Sequence, residues 1–370
     1  MLKESKNQVA PNQQQIDDNK IFNSKKILTY ATFTVIFIAT SMLSLLFIYH
    51  LFTDKTSYLT LKMFSSDLLF KLGVLLIIYF LLDSLRLFYI LKTLDVHISF
   101  RYIIKLAFVN IFISNITPFS TGGGFAQIYF LNRKGVSLGD ATAATAIRTA
   151  LAIIFFFIST PLVLLLNKNI ISVFSDNFSL FYAFILLFLY LGMAYVIYKL
   201  IQYNSIIKCA VYKLLLFLRR KKILSKKSYS VLLKKTFKEY DGFIMNIRRF
   251  LSKDKKDVFL SIAFTILFLL SLFMFSVVLI KGFNYNISIF SIITLQIIIT
   301  FITYFAPTPG ATGIAEGGFA LIFSAYVKRS DILVLTFGWR FFTIYVGMLI
   351  GMIIFYLEIM KQSKKKREWV

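Results

Sequence analysis

Apolar positions in this chain come in long blocks parted by short polar or basic turns. Blocks at 27–52, 68–91, 143–166, 178–200, 258–280 and 332–360 each approach or exceed the ~20 apolar residues that carry a helix across ~30 Å of hydrocarbon. Two further blocks, 102–131 and 287–326, are interrupted midway by proline and glycine. The pattern predicts an all-α polytopic membrane protein with six full spans and two broken segments.

Composition agrees. The chain is 58% hydrophobic and contains 42 Phe, with a mean hydropathy of +0.75. Its net charge is 42 − 17 = +25. In a soluble protein that excess would suggest nucleic acid. Here the basic residues gather between and after apolar spans, where cytoplasmic loops facing anionic lipid account for them, so no nucleic-acid partner is expected. One cysteine, Cys209, excludes an intramolecular disulfide. With only His50 and His97, no metal site is expected.

The positive-inside bias sets the topology. Residues 1–26 are polar and rich in Gln, Asn and Lys, and read as a disordered cytoplasmic tail. The block at 27–52 is too long for a signal-peptide core and reads as a membrane anchor. Residues 201–257 carry 16 Lys/Arg against 4 Asp/Glu and form a basic cytoplasmic linker. Its apolar positions Ile206, Ile207, Val211, Leu214, Leu215 and Leu218 fit either a helix on the membrane surface or a solvated helical linker. The linker is also where a cytoplasmic partner could dock. Residues 361–370 form a basic tail, which places both termini in the cytoplasm. The single transmembrane domain is 27–360.

The two breaks resemble each other. Residues 115–127 read NITPFSTGGGFAQ and residues 305–318 read FAPTPGATGIAEGG. In each, a polar residue stands nine positions after a proline: Gln127 after Pro118, Glu316 after Pro307. A basic turn, an aspartate and a new apolar segment with an arginine follow, with Asp140 eight positions before Arg148 and Asp331 nine before Arg340. The unit of span, break and span occurs at 68–166 and at 258–360, with its leading span running inward first and outward second. That is an inverted repeat in which each break is the tip of a re-entrant hairpin; two unrelated kinks are the alternative.

Such breaks are costly in hydrocarbon. Proline removes a donor, glycine lets the chain bend, and each unsatisfied peptide group must be covered by protein or face a wet cavity. Pro118, Gly122, Gly123, Gly124, Pro307, Pro309, Gly310 and Gly313 are therefore expected to line a cavity. The restarting helices would point their N-terminal N–H groups into it, as anion receptors. Arg148 and Arg340 lie inside spans, where an arginine costs at least ~2.5 kcal/mol without a partner. Glu316, a lipid phosphate, or both would supply one, and Gln127 is a further polar candidate. Asp83 and Arg86 are three apart on one helix face and can neutralise each other.

The second motif, TYFAPTPGATGIAEGGF with Arg340, resembles the signature of the lysylphosphatidylglycerol synthase membrane-region family. The first, SNITPFSTGGGFAQIYFL, is similar to the first re-entrant element of the same family, which often has glutamate or glutamine where Gln127 stands. The resemblance spans roughly 68–360. It implies the flippase-type membrane domain of bacterial multiple peptide resistance factors and their stand-alone relatives. In the full-length factors a cytoplasmic domain transfers an aminoacyl group to phosphatidylglycerol, and the membrane domain moves the product outward. After its last span this chain leaves about ten residues, so that transferase activity is not expected.

Three functions from different classes follow. The first is a flippase or scramblase for an anionic or aminoacylated phospholipid, or for a polyprenyl-phosphate-linked lipid. Arg148, Arg340, Glu316 and Gln127 would hold its headgroup. The second is the membrane part of a lipid-modifying enzyme of the phosphatidylglycerol lysyltransferase type, for which no Asp-x-Asp or His-rich loop is present. The third is a non-catalytic regulatory subunit. The glycines of TGGG and PGATG lack the Gly-Lys-Ser/Thr of a phosphate loop, so no nucleotide cofactor is expected. The family implies the cytoplasmic membrane.

Overall fold

The computed structural model describes residues 64–166, 226–252 and 254–367, with scattered helical positions at 32–49 and 192–220. Every regular element among the described residues is helical. Four helical stretches are long and apolar enough to cross a membrane: Ser66–Thr93, Leu138–Val163, Lys255–Gly282 and Arg329–Lys361. They match four of the six expected spans. The blocks at 27–52 and 178–200, and most of the linker's apolar stretch, lie outside the described residues.

Helix α1 (Ser66–Thr93) starts where Ser65 accepts the Leu68 N–H at 3.2 Å. Asp67 in its first turn and Lys92 in its last complement the helix dipole. Helix α2 (Phe100–Ile116) ends because Pro118 pushes Thr117 into an extended conformation, φ −116° and ψ 143°. A single 3₁₀ turn, Pro118–Ser120, leads into α3 (Gly122–Asn132), and α4 (Leu138–Leu166) completes the first unit. Helix α5 (Lys226–Ser252) is the described part of the basic linker. The second unit repeats the series: α6 (Lys255–Gly282), α7 (Ile289–Thr303), a 3₁₀ turn at Pro309–Ala311, α8 (Ile314–Phe323), α9 (Arg329–Arg340) and α10 (Val346–Arg367). A π-helical turn, Phe341–Tyr345, joins α9 to α10.

The correspondence is close. Helices α1 and α6 are both 28 residues long. The interval along the chain from Ser66 to Lys255 is the same as from Phe100 to Ile289. From the break onward the second copy runs two residues late, so that Pro118 corresponds to Pro309, and Asp140 to Asp331. In both turns the two residues after proline are left-handed: Phe119 and Ser120 at φ 54° and 52°, Gly310 and Ala311 at φ 60° and 55°. The sequence spacing had matched Pro118 with Pro307; the backbone matches it with Pro309.

Helices α1 and α6, the leading helices of the two units, pack antiparallel. Leu68 meets Gly282 at one end, Tyr79 stacks on Phe268 in the middle, and Lys92 Nζ pairs with Asp257 at 3.0 Å at the other end. Helices α2 and α3 form a tight antiparallel hairpin. The Tyr102 hydroxyl donates to the Phe130 carbonyl at 3.1 Å, and a Cβ on Gly123 would stand 1.9 Å from Ser114 Oγ. Each unit's last helix crosses to the other's broken segment, α10 against α2 and α4 against α7. Gly347 and Gly351 make the first crossing possible: a Cβ on Gly351 would lie 2.0 Å from the Phe108 carbonyl oxygen. The core accordingly has two lobes. One gathers α6 to α9 with the start of α1 and the later part of α4, the other α2, α3, α10, the start of α4 and the ends of α1 and α5.

The two corresponding aspartates do different local work. Asp140 accepts from Ser137 and, at 2.7 Å, from Asn246 of α5, which fastens the linker helix to the bundle. Arg249 of α5 pairs with Asp95 beyond α1. Asp331 instead accepts from the Tyr285 hydroxyl in the α6–α7 loop. Burial, reinforced by that bond, pushes the Tyr285 phenol up to about 12.

Candidate functional site: a cavity between the two broken hairpins

The two breaks touch each other. Beside their meeting point lies a cavity of about 440 Å³, walled by both units. Tyr79, Asp83 and Arg86 enter from α1, Asn110 from α2, Gln127 from α3 and Arg148 from α4. The second unit supplies Tyr304, Gly310, Trp339 and Arg340. In the middle of such an apolar bundle this is a concentrated set of polar groups.

Two ion-pair systems organise it. In the first, Arg148 Nη2 lies 2.7 Å from both Asp83 oxygens, while Arg86 Nε lies 2.8 Å from Asp83 Oδ1. Arg148 Nη1 also donates to Gln127 Oε1 at 3.1 Å. With its amide turned to satisfy both ends, Asn110 donates to the Gly123 carbonyl at 3.1 Å and accepts from Arg148 Nη1 at 3.2 Å. The Arg86 guanidinium sits over the Phe268 ring, 4.2 Å from its centre. In the second system, Arg340 Nε donates to Glu316 Oε1 at 2.7 Å and Arg340 Nη2 to the Gly310 carbonyl at 2.6 Å.

Arg148, Gln127, Arg340, Asp83 and Arg86, all expected from sequence, do come together on this cavity. Their pairing differs from expectation. Arg148 takes Asp83 and not Glu316, so Asp83 and Arg86 are not a self-contained pair. Glu316 is wholly buried and stands behind Arg340, off the cavity wall. The cause is geometric: Glu316 is in the first turn of α8, where its Oε2 accepts the Gly313 N–H at 2.7 Å.

Of the residues that shape the breaks, Gly124 and Gly310 line the cavity, whereas Pro118, Gly122, Gly123, Pro307, Pro309 and Gly313 do not. Gly122 and Gly123 are spent on hairpin packing, because a Cβ on Gly122 would meet the Thr117 side chain at 2.5 Å. One N–H at each restarting helix end is capped from within. Thr117 Oγ1 accepts the Gly122 N–H at 3.0 Å, and Glu316 accepts from Gly313. Beside these helix starts the guanidinium groups of Arg148 and Arg340 also face the cavity.

Sequence reasoning passed over Tyr79, Asn110, Tyr304 and Trp339. Tyr79 had a signal: with Asp83 and Arg86 it falls at i, i+4 and i+7 on one helix face. Trp339 and Tyr304 look like ordinary aromatic residues of apolar spans. Among the described residues no group of three or more His, Cys, Asp and Glu could hold a metal ion.

Membrane-length helices packed about two broken segments and an arginine-bearing cavity define an α-helical polytopic membrane protein with an internal polar chamber. The chain belongs to the family described as the lysylphosphatidylglycerol synthase transmembrane region, which it matches over residues 34–351. It is also similar to a UPF0104 membrane protein of Archaeoglobus fulgidus, at 26% identity over 297 residues, covering 78% of this chain and 86% of that protein.

Proposed function

We propose that this protein moves a lipid between the leaflets of the cytoplasmic membrane. The cargo would be an anionic or aminoacylated phospholipid, of the phosphatidylglycerol or lysyl-phosphatidylglycerol type, or a polyprenyl-phosphate-linked lipid. The observation that carries this reading is the cavity itself: arginines of both units, Arg86, Arg148 and Arg340, face one space between two breaks. An arginine buried in an apolar bundle marks a polar pathway, and its planar fork of donors suits a phosphate.

In this reading the membrane holds six full spans, the broken segments are re-entrant hairpins, and both termini are cytoplasmic. The two units form an inverted repeat, and rocking of one against the other would expose the cavity to each leaflet in turn. Arg148 and Arg340 would hold the headgroup while Glu316 keeps Arg340 in place. Membrane phospholipids are thus the partners, and helix α5 with the rest of the basic linker faces the anionic inner leaflet or a cytoplasmic protein.

The test is translocation in proteoliposomes, with fluorescent phosphatidylglycerol and lysyl-phosphatidylglycerol followed by leaflet-selective quenching. Thr303 lines the cavity outside both ion-pair systems. Thr303→Phe narrows the space while leaving the charges intact. Rapid exchange by the wild type, abolished in a folded Thr303→Phe or Arg340→Lys variant, is the expected result. Exchange no faster than in protein-free vesicles for every lipid class named would sink the proposal.

A further inference from the structure

The charges around the cavity do not balance. Among the described residues, Arg86, Arg148 and Arg340 face it, and the carboxylates that meet them are Asp83 and Glu316. Among the described residues the chamber therefore holds one positive charge in excess. Both carboxylates are engaged by arginine: Asp83 by two guanidinium groups through Arg148 and Arg86, Glu316 by Arg340.

The hydrogen-bond inventory points the same way. Besides Arg86 Nε, which meets Asp83 as an ion pair without forming a hydrogen bond, four buried nitrogens of residues lining this cavity have no hydrogen-bond partner among the described residues: Arg86 Nη1, Gln127 Nε2, Arg148 Nε and Trp339 Nε1. All four are donors, and their residues are at most 6% exposed. The cavity-lining residues contribute no buried oxygen to the unpartnered set. A ligand that completes the site must bring acceptors and one negative charge, because an unpaired buried donor or charge is costly.

Resting on the translocation reading, we infer that the headgroup taken here is a monoanionic phosphodiester bearing an uncharged, hydroxyl-rich group, and that aminoacylated lipid is discriminated against. One phosphodiester cancels the surplus charge, and its oxygens satisfy the orphaned donors. The remaining wall, with Asn110, Ser114, Ser120, Thr145 and Thr303 beside Tyr79, offers hydroxyl and amide partners to a polyol. A lysyl ammonium would restore the surplus charge and find no uncommitted carboxylate among the described residues. Phosphatidylglycerol and glycosyl-phosphoryl polyprenols share the favoured chemistry.

The experiment is a native mass-spectrometric titration of the full chain. Its four ligands are dioctanoyl phosphatidylglycerol, its lysyl ester, dioctanoyl phosphatidylcholine and citronellyl phosphoglucose. The uncharged-polyol phosphodiesters should bind at least about tenfold more tightly than the lysyl and choline lipids, and the tighter of the two identifies the source. Gln127→Glu is isosteric, cancels the surplus and adds a carboxylate; it should narrow or reverse the preference. Arg86→Gln leaves Asp83 paired with Arg148 and should weaken phosphatidylglycerol binding by about tenfold or more.

The inference is overturned by lysyl-phosphatidylglycerol binding as tightly as phosphatidylglycerol. It also fails if folded Gln127→Glu and Arg86→Gln variants keep the wild-type preference, or if the folded protein binds none of the four. Selective binding without movement in proteoliposomes would remove the translocation reading and leave the headgroup assignment standing.

Discussion

Glu316 and Arg340 are joined at 2.7 Å with both side chains almost wholly buried, and Arg340 also grips the Gly310 carbonyl inside the second break. One arginine thus ties α8, α9 and the turn between α7 and α8 together. Glu316→Ala should destabilise the fold by about 3–5 kcal/mol, since it leaves an uncompensated buried charge. Glu316→Ala combined with Arg340→Leu should recover part of that loss. Thermal unfolding of the four proteins in detergent measures the coupling; additive losses would show that the pair acts only through its separate members.

Asp83 holds Arg86 and Arg148 within one network. In Asp83→Asn the two guanidinium groups face each other without their shared anion, and stability should fall by about 3–5 kcal/mol. Adding Arg86→Gln should restore much of it by removing the repulsion. Unfolding midpoints that do not respond to the second substitution would count against the shared-carboxylate arrangement.

Gly351 and Gly318 make a contrasting pair. A Cβ on Gly351 would collide with the Phe108 backbone, whereas one on Gly318 meets nothing within 4 Å. Gly351→Ala should cost about 1–3 kcal/mol by forcing α10 away from α2. Gly318→Ala, in the interior of α8, should be neutral or stabilise by up to about 1 kcal/mol. Thermal midpoints of the two variants, compared side by side, decide this.

Asn246 is 2% exposed and donates to Asp140 at 2.7 Å. Asn246→Ala should loosen α5 at a cost of about 1 kcal/mol or more, as expected for a buried bond to a charged partner. Hydrogen exchange should rise across Lys226–Ser252 while the bundle keeps its unfolding midpoint. Unchanged exchange in that helix would mean that its apolar face alone holds it.

The two breaks were legible because proline and glycine cannot be hidden in an apolar span. Pro118 stands just beyond the end of α2, whereas α7 already stops at Thr303, ahead of Pro307 and Pro309; Pro118 and Pro309 each open a 3₁₀ turn with left-handed residues after the proline. The intramembrane arginines were legible for a similar reason: in a setting where charge is expensive, Arg148 and Arg340 draw attention to themselves. Their partners were not. Asp83 and Arg148 are 65 positions apart and meet only because α1 and α4 pack together. The exact match of nine positions from Pro118 to Gln127 and from Pro307 to Glu316 suggested equivalent roles. Yet Gln127 lies midway along α3 on the cavity, and Glu316 caps α8 behind it.

The sequence by itself determined that this is a helical membrane protein, where its described spans lie, where two of its helices break and which family it belongs to. Each of those properties depends on local composition: a run of apolar residues must become helix in lipid, and a proline must interrupt it. The tertiary structure decided which charges neutralise each other, which glycines pack and which face the cavity, and that one positive charge is left over among the described residues around it. Those depend on how α1 and α6 lie antiparallel and bring the two breaks together. Pairing in a low-dielectric interior is set by distances of a few ångströms between distant segments, and spacing along the chain does not encode them.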